Sequence, residues 1–474
     1  MNLKLPFSIM QIHIGTAFKY FLPMFFLLFN ACINNTNEKV PNILFIAVDD
    51  LRPELGIYGN DYVITPHIDQ LAKRGAIFDR AYCSVSWCAP SRTALMTGMR
   101  PQSTGVMDLS THFRSKIPDA VTMPQFFKQK GYTSLGFGKL YHNDIKMQDD
   151  QSWSQPCWIP EGTPILAYAS EENKQIAEGS TYHKATVTEA ANVPDNAYPD
   201  GQITNNVINA LHELKSAKKP FFLGVGYYKP HLPFTAPKKY WDLYNREDIP
   251  LSAVTELPEN ASPYIFRSWS ETGSYTDITQ PEPYSDTLSL RLKHGYFACV
   301  SYIDAQIGRL LDELKTLDLD DNTIVVIWGD HGWKLGEYGR WSKHSNMEID
   351  TRVPLIVYVP GKEPRAISGI VETIDIYPTL VEMAGFNVSE ELEGENLFYK
   401  KRDFALSAIP RDSVTGYSVR TNEFRYTEWR MNSEPQVVIS SELYNHREND
   451  QELENIVAKP QYSKQLESLK QILK

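Results

Sequence analysis

The chain has 474 residues, 42% of them hydrophobic, and acidic side chains outnumber basic ones to give a net charge of −11. That length accommodates two or three average domains, or one large α/β unit with an appendage. The acidic balance, with no basic run interleaved with aromatics, excludes a nucleic-acid binder. It leaves room for an anionic ligand, because a few convergent cations govern a single pocket in an acidic protein.

The N-terminus reads as a targeting segment. Lys4 and Lys19 are its strong charges, and the apolar stretch FLPMFFLLFNAC ends at Cys32. About a dozen apolar residues fall short of the roughly 20 that span a bilayer and match a secretory core. Ala31 before Cys32 resembles a bacterial lipoprotein site, so residues 1–31 are expected to be a signal peptide and 32–40 a polar tether, with Cys32 lipidated. The expected location is periplasmic, or on the outer membrane or cell surface, with membrane contact only through that anchor.

NILFIAV (Asn42–Val48) is a continuous aliphatic run, the pattern of a strand buried on both faces of a parallel sheet. Residues 132–137, Phe221–Tyr227, Thr323–Gly329 and 354–359 read as further strands. Between the last three strands and the first lie helical patterns at 123–130 and 202–216, and another follows at 375–384. The longest is marked by Leu292, Tyr296, Val300, Ile303, Ile307, Leu310, Leu314 and Leu317 at three- and four-residue steps. Strands alternating with helices predict an α/β sheet covered on both sides. Residues 151–199 and 250–287 are irregular, and such long segments within a compact domain are functional loops. Beyond about residue 385, YSVRTNEFRYTEW alternates like an exposed antiparallel pair, and KQLESLKQILK reads as a terminal amphipathic helix. The expected division is a catalytic domain over 41–385 and a smaller α+β subdomain over 386–474.

Two of the buried strands end in acids: Asp49 and Asp50 after the first, Asp330 with His331 after Thr323–Gly329. Ligands bind at the carboxyl ends of strands in open α/β sheets, so these pairs are expected to face one another. Converging carboxylates need a cation, and an oxygen-rich donor set suits Ca²⁺ or Mg²⁺ better than zinc. Lys139, His142, His231 and Lys343 also fall beyond strand ends, and Arg92 stands close to Cys88. This is an anion pocket beside a metal, fit for phosphate or sulfate esters. Cys88 sits in CAPSR, read as a loop entering a helix whose N-terminal amides face the anion. Of the other cysteines, Cys299 lies on an apolar helical face, and no spacing among the five indicates zinc or a disulfide framework.

C-x-P-S-R followed by T-G resembles the site at which type I sulfatases convert cysteine to Cα-formylglycine. The likeness continues in order through VDDLRPELGIYG, GYTSLGFGKLYH, VGYYKPHLPF, SYIDAQIGRLLDEL, DHGWKLGEYGRWSKHSN and VPLIVYVPG. KPHLPF and DHGWKLGEYGRWSK are most similar to the iduronate-2-sulfatase subgroup. The resemblance implies an alkaline-phosphatase-like sulfatase fold, with a large mostly parallel sheet sandwiched by helices. It implies one Ca²⁺ held by Asp49, Asp50, Asp330, His331 and the formylglycine oxygen at Cys88. Arg92 and Lys139 would hold the formylglycine; Lys139, His231, Lys343 and Trp333 would bind sulfate and substrate; His231 or Lys343 would assist the leaving alcohol. His142 would be the general base. The implied partners are a sulfated, uronate-containing carbohydrate of glycosaminoglycan or ulvan type and a formylglycine-generating or anaerobic maturation enzyme. The alternatives are a sulfatase of another algal glycan such as carrageenan, or a phosphate or phosphonate ester hydrolase of the same superfold. The disulfide pattern of the animal enzyme is not evident, since Cys157 has no partner in sequence.

Overall fold

The computed structural model describes residues 40–474 except 143, 144, 268, 400, 448 and 449. The expected signal peptide, the Cys32 lipid site and the tether up to residue 39 lie outside the described residues. Among the described residues no helix is long and apolar enough to cross a membrane.

Among the described residues fourteen strands follow in chain order: β1 (Asn42–Val48), β2 (Ala76–Tyr82), β3 (Thr133–Gly138), β4 (Thr188–Ala191), β5 (Phe221–Tyr227), β6 (Phe234–Pro237), β7 (Thr323–Gly329), β8 (Arg352–Val353), β9 (Leu355–Tyr358), β10 (Arg365–Glu372), β11 (Phe404–Pro410), β12 (Val414–Thr421), β13 (Phe424–Met431) and β14 (Val438–Asn445). The main sheet has the order β10-β2-β9-β7-β1-β5-β3, with β8 paired to β2. β1 runs parallel to β5 and β7, and β3 parallel to β5. The carboxyl ends of four strands therefore meet at one edge, with Val48 level with both Tyr227 and Gly329. Every residue of β1, β5 and β7 is buried, as continuous apolar runs require when helices cover both faces.

The strand at 354–359 departs from expectation. β9 runs antiparallel to β7 and to β2. An apolar run reports burial and not direction; here the chain returns from β7 through the loop carrying Lys343 instead of a helical crossover. β2 and β10, not anticipated from the sequence, form the far edge as a parallel pair.

The helix Asp286–Thr316 buries the expected stripe from Leu292 to Leu314. It also reaches the site, since the Tyr296 hydroxyl donates to the Asp50 carbonyl at 2.8 Å. The helices Met123–Gln129, Pro199–Ala217 and Ile376–Met383 correspond to the three shorter patterns. The irregular segment 151–199 contains a helix, Glu171–Gly179, and β4.

β11 to β14 form an antiparallel meander. The pair β12–β13 is largely buried, not exposed as its alternation predicted. Alternation marks two faces, and here both are covered. The helix Ser463–Ile472 packs Leu466 and Leu469 against Val419 and Tyr426, while Trp429 and Val414 pack against Val85 on the other side. A buried polar network fastens this sheet to the rest. Arg420 and Arg425 pair with Glu348 at 2.8 and 2.7 Å, and Arg425 also pairs with Glu452 at 2.6 Å.

Candidate active site

The helix Cys88–Thr97 begins at Cys88 itself, without an intervening loop, and Pro90 fits its first turn. All ten residues are buried, so the thiol is held on a rigid element at the helix N-terminus. His331 Nε2 lies 3.3 Å from the Cys88 sulfur and Lys343 Nζ 3.7 Å from it. Burial, reinforced by Asp49, pushes the thiol pKa far up, so an unmodified Cys88 is a neutral thiol and a poor nucleophile.

The strand-end acids converge as the sequence predicted. Asp49, Asp330, His331 and Cys88 bring one ligand atom each within 4.8 Å of one another, and Asp49, Asp50 and His231 form a second such group. Asp50 takes a left-handed backbone, φ 56°, which lets two successive carboxylates turn toward the same space. Asp330 Oδ1 accepts from the backbone N–H groups of Asp50 and His331, both at 3.0 Å. Its other oxygen takes Arg92 Nε at 2.8 Å.

Three cations face these acids. Arg92 also reaches Asp49 at 3.3 Å, Lys139 pairs with Asp49, and Lys343 pairs with Asp50 at 2.8 Å. Lys139 is delivered by two glycines. A Cβ on Gly138 would lie 2.2 Å from the Gly226 carbonyl oxygen, and one on Gly226 would lie 2.0 Å from the Lys139 carbonyl oxygen. Only glycine allows the chain to cross β5 this closely, and Gly138 also has φ 73°.

His231 sits on the segment after β5, held by Lys229, whose ammonium donates to the His231 and Pro233 carbonyls at 2.9 and 2.7 Å. Its Nε2 is 3.3 Å from Glu271 and 4.0 Å from Asp50. Burial and the nearby Lys343 charge lower its pKa to about 4. His142 is lowered to about 3 by burial and by Lys139, and its Nδ1 has no hydrogen-bond partner among the described residues. Both imidazoles are thus neutral near pH 7, with His142 presenting a free ring nitrogen.

Cys88, Lys139, His142, His231 and Lys343 line one cleft of about 350 Å³. Asp49, Asp50, Asp330, His331 and Arg92 lie beneath it, fully buried. Trp333 is the exception and a correction. It is 0% exposed and does not line the cleft. Its ring lies 5.2 Å under the Lys343 ammonium, so Trp333 packs inward, as Leu335 does, and backs the lysine instead of meeting substrate.

Sequence reasoning missed Glu271, which pairs with His231 and also lies 3.7 Å from Lys343. It missed Trp87, Lys184, Arg267 and Trp269 on the outer wall. Their one sequence signal was the irregularity of the loops that carry Lys184, Arg267, Trp269 and Glu271. The four described cysteines are all free and buried, Cys157 and Cys299 included.

A metal fits this arrangement. Asp49, Asp50, Asp330 and Glu271 carry four negative charges against three positive ones on Arg92, Lys139 and Lys343. Burial first, then the charges of Asp49 and Glu271, raises the Asp50 carboxyl to about 7 despite Lys343 and His331. One divalent cation removes that excess, and a hard donor set of carboxylate oxygens suits it.

A buried nucleophile position beside a carboxylate-rich metal site, ringed by cations at the strand ends of an α/β sheet, defines an ester hydrolase for anionic groups. The sulfatase family profile matches residues 41–386, and that of the N-sulphoglucosamine sulphohydrolase C-terminal region matches 336–474. The chain is 34% identical to the iduronate 2-sulfatase of Homo sapiens, over 84% of this chain and 86% of that one. Among solved structures, that of BT4656 in complex with D-glucosamine-2-N,6-O-disulfate superposes with a TM-score of 0.73 at 22% identity, covering 92% and 97% of the two chains. The phosphonate monoester hydrolase of Agrobacterium radiobacter has the same TM-score at 19% identity, covering 91% and 95%. The chain belongs to the sulfatase family and is a sulfuric ester hydrolase with that fold.

Proposed function

We propose that the protein is an exported, calcium-dependent sulfatase that removes sulfate from a uronate-containing polysaccharide or oligosaccharide of glycosaminoglycan or ulvan type. The observation that carries this reading is Cys88 at a helix start, between a buried acid cluster and the cations Lys139 and Lys343 in one cleft, with Arg92 beneath. The 34% identity to an iduronate 2-sulfatase supports the uronate. The proposed export places a lipid anchor at Cys32.

Asp49, Asp50, Asp330 and His331 would hold Ca²⁺, which supplies Lewis-acid stabilisation of negative oxygen when bound. Cys88, oxidised to formylglycine by a separate maturation enzyme and hydrated, supplies an oxygen nucleophile that the neutral thiol cannot match. Arg92 neutralises and fixes the carboxylates of Asp49 and Asp330. Lys139 and Lys343 are positioned to bind sulfate oxygens as charge shifts onto them, at little reorganisation cost. The ammonium of Lys343 gives the proton to the departing sugar alcohol; His231, tied to Glu271 and neutral near pH 7, does so only after it has itself taken up a proton. His142, neutral and with a free Nδ1, takes the proton that releases the product sulfate.

The test is sulfate release from defined heparan or dermatan disaccharides, ulvan fragments and carrageenan fragments, with an aryl sulfate and an aryl phosphate assayed in parallel. The expected result is turnover of the uronate sulfates and the aryl sulfate. Turnover of carrageenan alone would overturn the substrate class, and preference for the aryl phosphate would favour the phosphonate-hydrolase likeness. Mass spectrometry of the matured peptide should show the aldehyde at position 88; an intact thiol alongside full turnover would remove the proposed nucleophile.

A further inference from the structure

The outer wall of the cleft carries cations that the sulfate chemistry leaves unused. Arg267 is half-buried and stacks its guanidinium on Trp87, 4.8 Å from the ring centroid. One of its terminal nitrogens donates to the Pro410 carbonyl at 3.4 Å, and its buried Nε has no hydrogen-bond partner among the described residues. Asp412 is near enough for its charge to be felt but forms no ion pair with it. Behind it, Arg411 adds positive charge and uses its own donors on the carbonyls of Tyr264, Ile265 and His344. Lys184 lies 4.6 Å from the Tyr275 ring centroid and donates to Ser274 at 2.7 Å. The acid on this wall, Glu271, pairs with His231 and Lys343, and its charge also reaches Lys184 without forming an ion pair with it.

Partly desolvated cations without acid partners are costly, and an anionic ligand relieves the cost. Close to Arg267 in the chain, Trp269 leaves 51% of its surface exposed at the cleft mouth, 6.2 Å from the His344 ring. A half-exposed indole beside a cation is a surface for a sugar ring that bears a charge.

We propose that Arg267 and Lys184 form a second anion subsite, which binds a carboxylate or a second sulfate on the carbohydrate while the ester under attack sits over Cys88. This rests on the sulfatase reading of the cleft floor and deepens it. The preferred substrate carries at least two anionic groups, one cleaved and one gripped. Arg267 lines the cleft and offers a planar guanidinium suited to either oxyanion, one terminal nitrogen being held by the Pro410 carbonyl.

The experiment measures kcat/KM on four esters: a 2-sulfated uronate disaccharide, the same disaccharide with its carboxyl reduced to an alcohol, a disulfated glucosamine, and 4-methylumbelliferyl sulfate. Wild-type enzyme should prefer the doubly charged sugars to the carboxyl-reduced one. Arg267→Ala should lower kcat/KM on the doubly charged sugars about ten- to a hundredfold more than on the aryl sulfate, mostly through KM, as expected for a lost charged hydrogen bond. Arg267→Lys should recover part of that loss, and a melting curve on each variant reports folding independently. Loss on the uronate alone identifies the gripped group as carboxylate; loss on the disulfated sugar alone identifies it as sulfate. Equal wild-type rates on the carboxylate, carboxyl-reduced and disulfated sugars overturn the subsite, as does an equal loss on the sugars and the aryl sulfate in the alanine variant. Failure of the underlying sulfatase reading looks different, because wild-type enzyme would then release sulfate from none of the four.

Discussion

The floor and the wall of the cleft are built on opposite principles. The floor comes from the carboxyl ends of β1, β3, β5 and β7, four buried parallel strands, together with the start of a buried helix. Its three acids, joined by Glu271 from the wall, outnumber its three cations, a donor set that suits a divalent metal. The wall comes from the long loops at 151–199 and 250–287, and among the described residues its cations Arg267 and Lys184 form no ion pair, only feeling the charges of Asp412 and Glu271. Rigid elements fix the groups that must hold sub-ångström geometry during bond cleavage, while loops vary what the cleft recognises. The same fold shared with a phosphonate monoester hydrolase is consistent with that division.

The sharpest way to break this comparison is to remove a floor acid. Asp330→Ala deletes an acceptor of two backbone amides and the Arg92 partner. It should lower kcat by about a thousandfold or more, measured as sulfate release. Chelation of the wild type should do the same reversibly. At free calcium near a hundred times its Kd, the ion contributes roughly 2.7 kcal/mol of stability. Melting temperature should therefore fall with EGTA and recover with Ca²⁺. Activity that survives both treatments would show that the acid excess serves folding and not chemistry.

A second test separates the floor from its support. The loop carrying Lys343 is clasped by the C-terminal sheet, with Asn346 donating to Gly416 at 2.9 Å and Arg411 to the His344 carbonyl at 2.8 Å. The network around Glu348 secures that clasp. Arg425→Met leaves Glu348 and Glu452 short of a buried partner and should cost about 3–5 kcal/mol, read by denaturant unfolding. A change below about 1 kcal/mol would mean that the two sheets hold together without it.

What was readable in the sequence follows the same line between floor and wall. Asp49, Asp50, Lys139, Asp330 and His331 stand directly after apolar runs, so strand periodicity plus the strand-end rule located them without tertiary information. The direction of β9 was not readable, because burial on both faces looks alike in parallel and antiparallel strands. Trp333 misled because a tryptophan beside DHG could face either way, and the interior took it. Glu271, Arg267 and Trp269 sit in loops without period, where sequence position carries no information about which side chains meet. The two tryptophans turn this into an experiment. Trp333→Phe should lower stability by roughly 1–3 kcal/mol with KM unchanged. Trp269→Ala should leave stability nearly intact and raise KM for an oligosaccharide about two- to tenfold. The reverse pattern would exchange their assigned places.

The smallest expected effect concerns pH and the support of the floor. His446 contacts Asp450 at 3.3 Å and Glu452 at 3.0 Å, with Arg420, Arg425 and Glu348 in the same network. Burial opposes its charge, but the hydrogen bonds to Asp450 and Glu452 outweigh that and raise its pKa above the ordinary value. Burial likewise opposes the Glu452 charge, and Arg425 and His446 lower its pKa overall. A raised histidine contributes stability that is complete below its unfolded pKa of about 6.5 and is lost as pH climbs through the folded value. The lowered Glu452 contributes above its unfolded pKa of about 4.3 and loses that contribution as pH falls through the folded value. The pair therefore stabilises most between about pH 4.3 and 6.5. The melting-temperature difference between wild type and His446→Gln should be largest in that window and shrink toward alkaline pH. A difference that stays constant from pH 5 to about 9 would mean that His446 packs the C-terminal sheet as a neutral ring and that its charge plays no part.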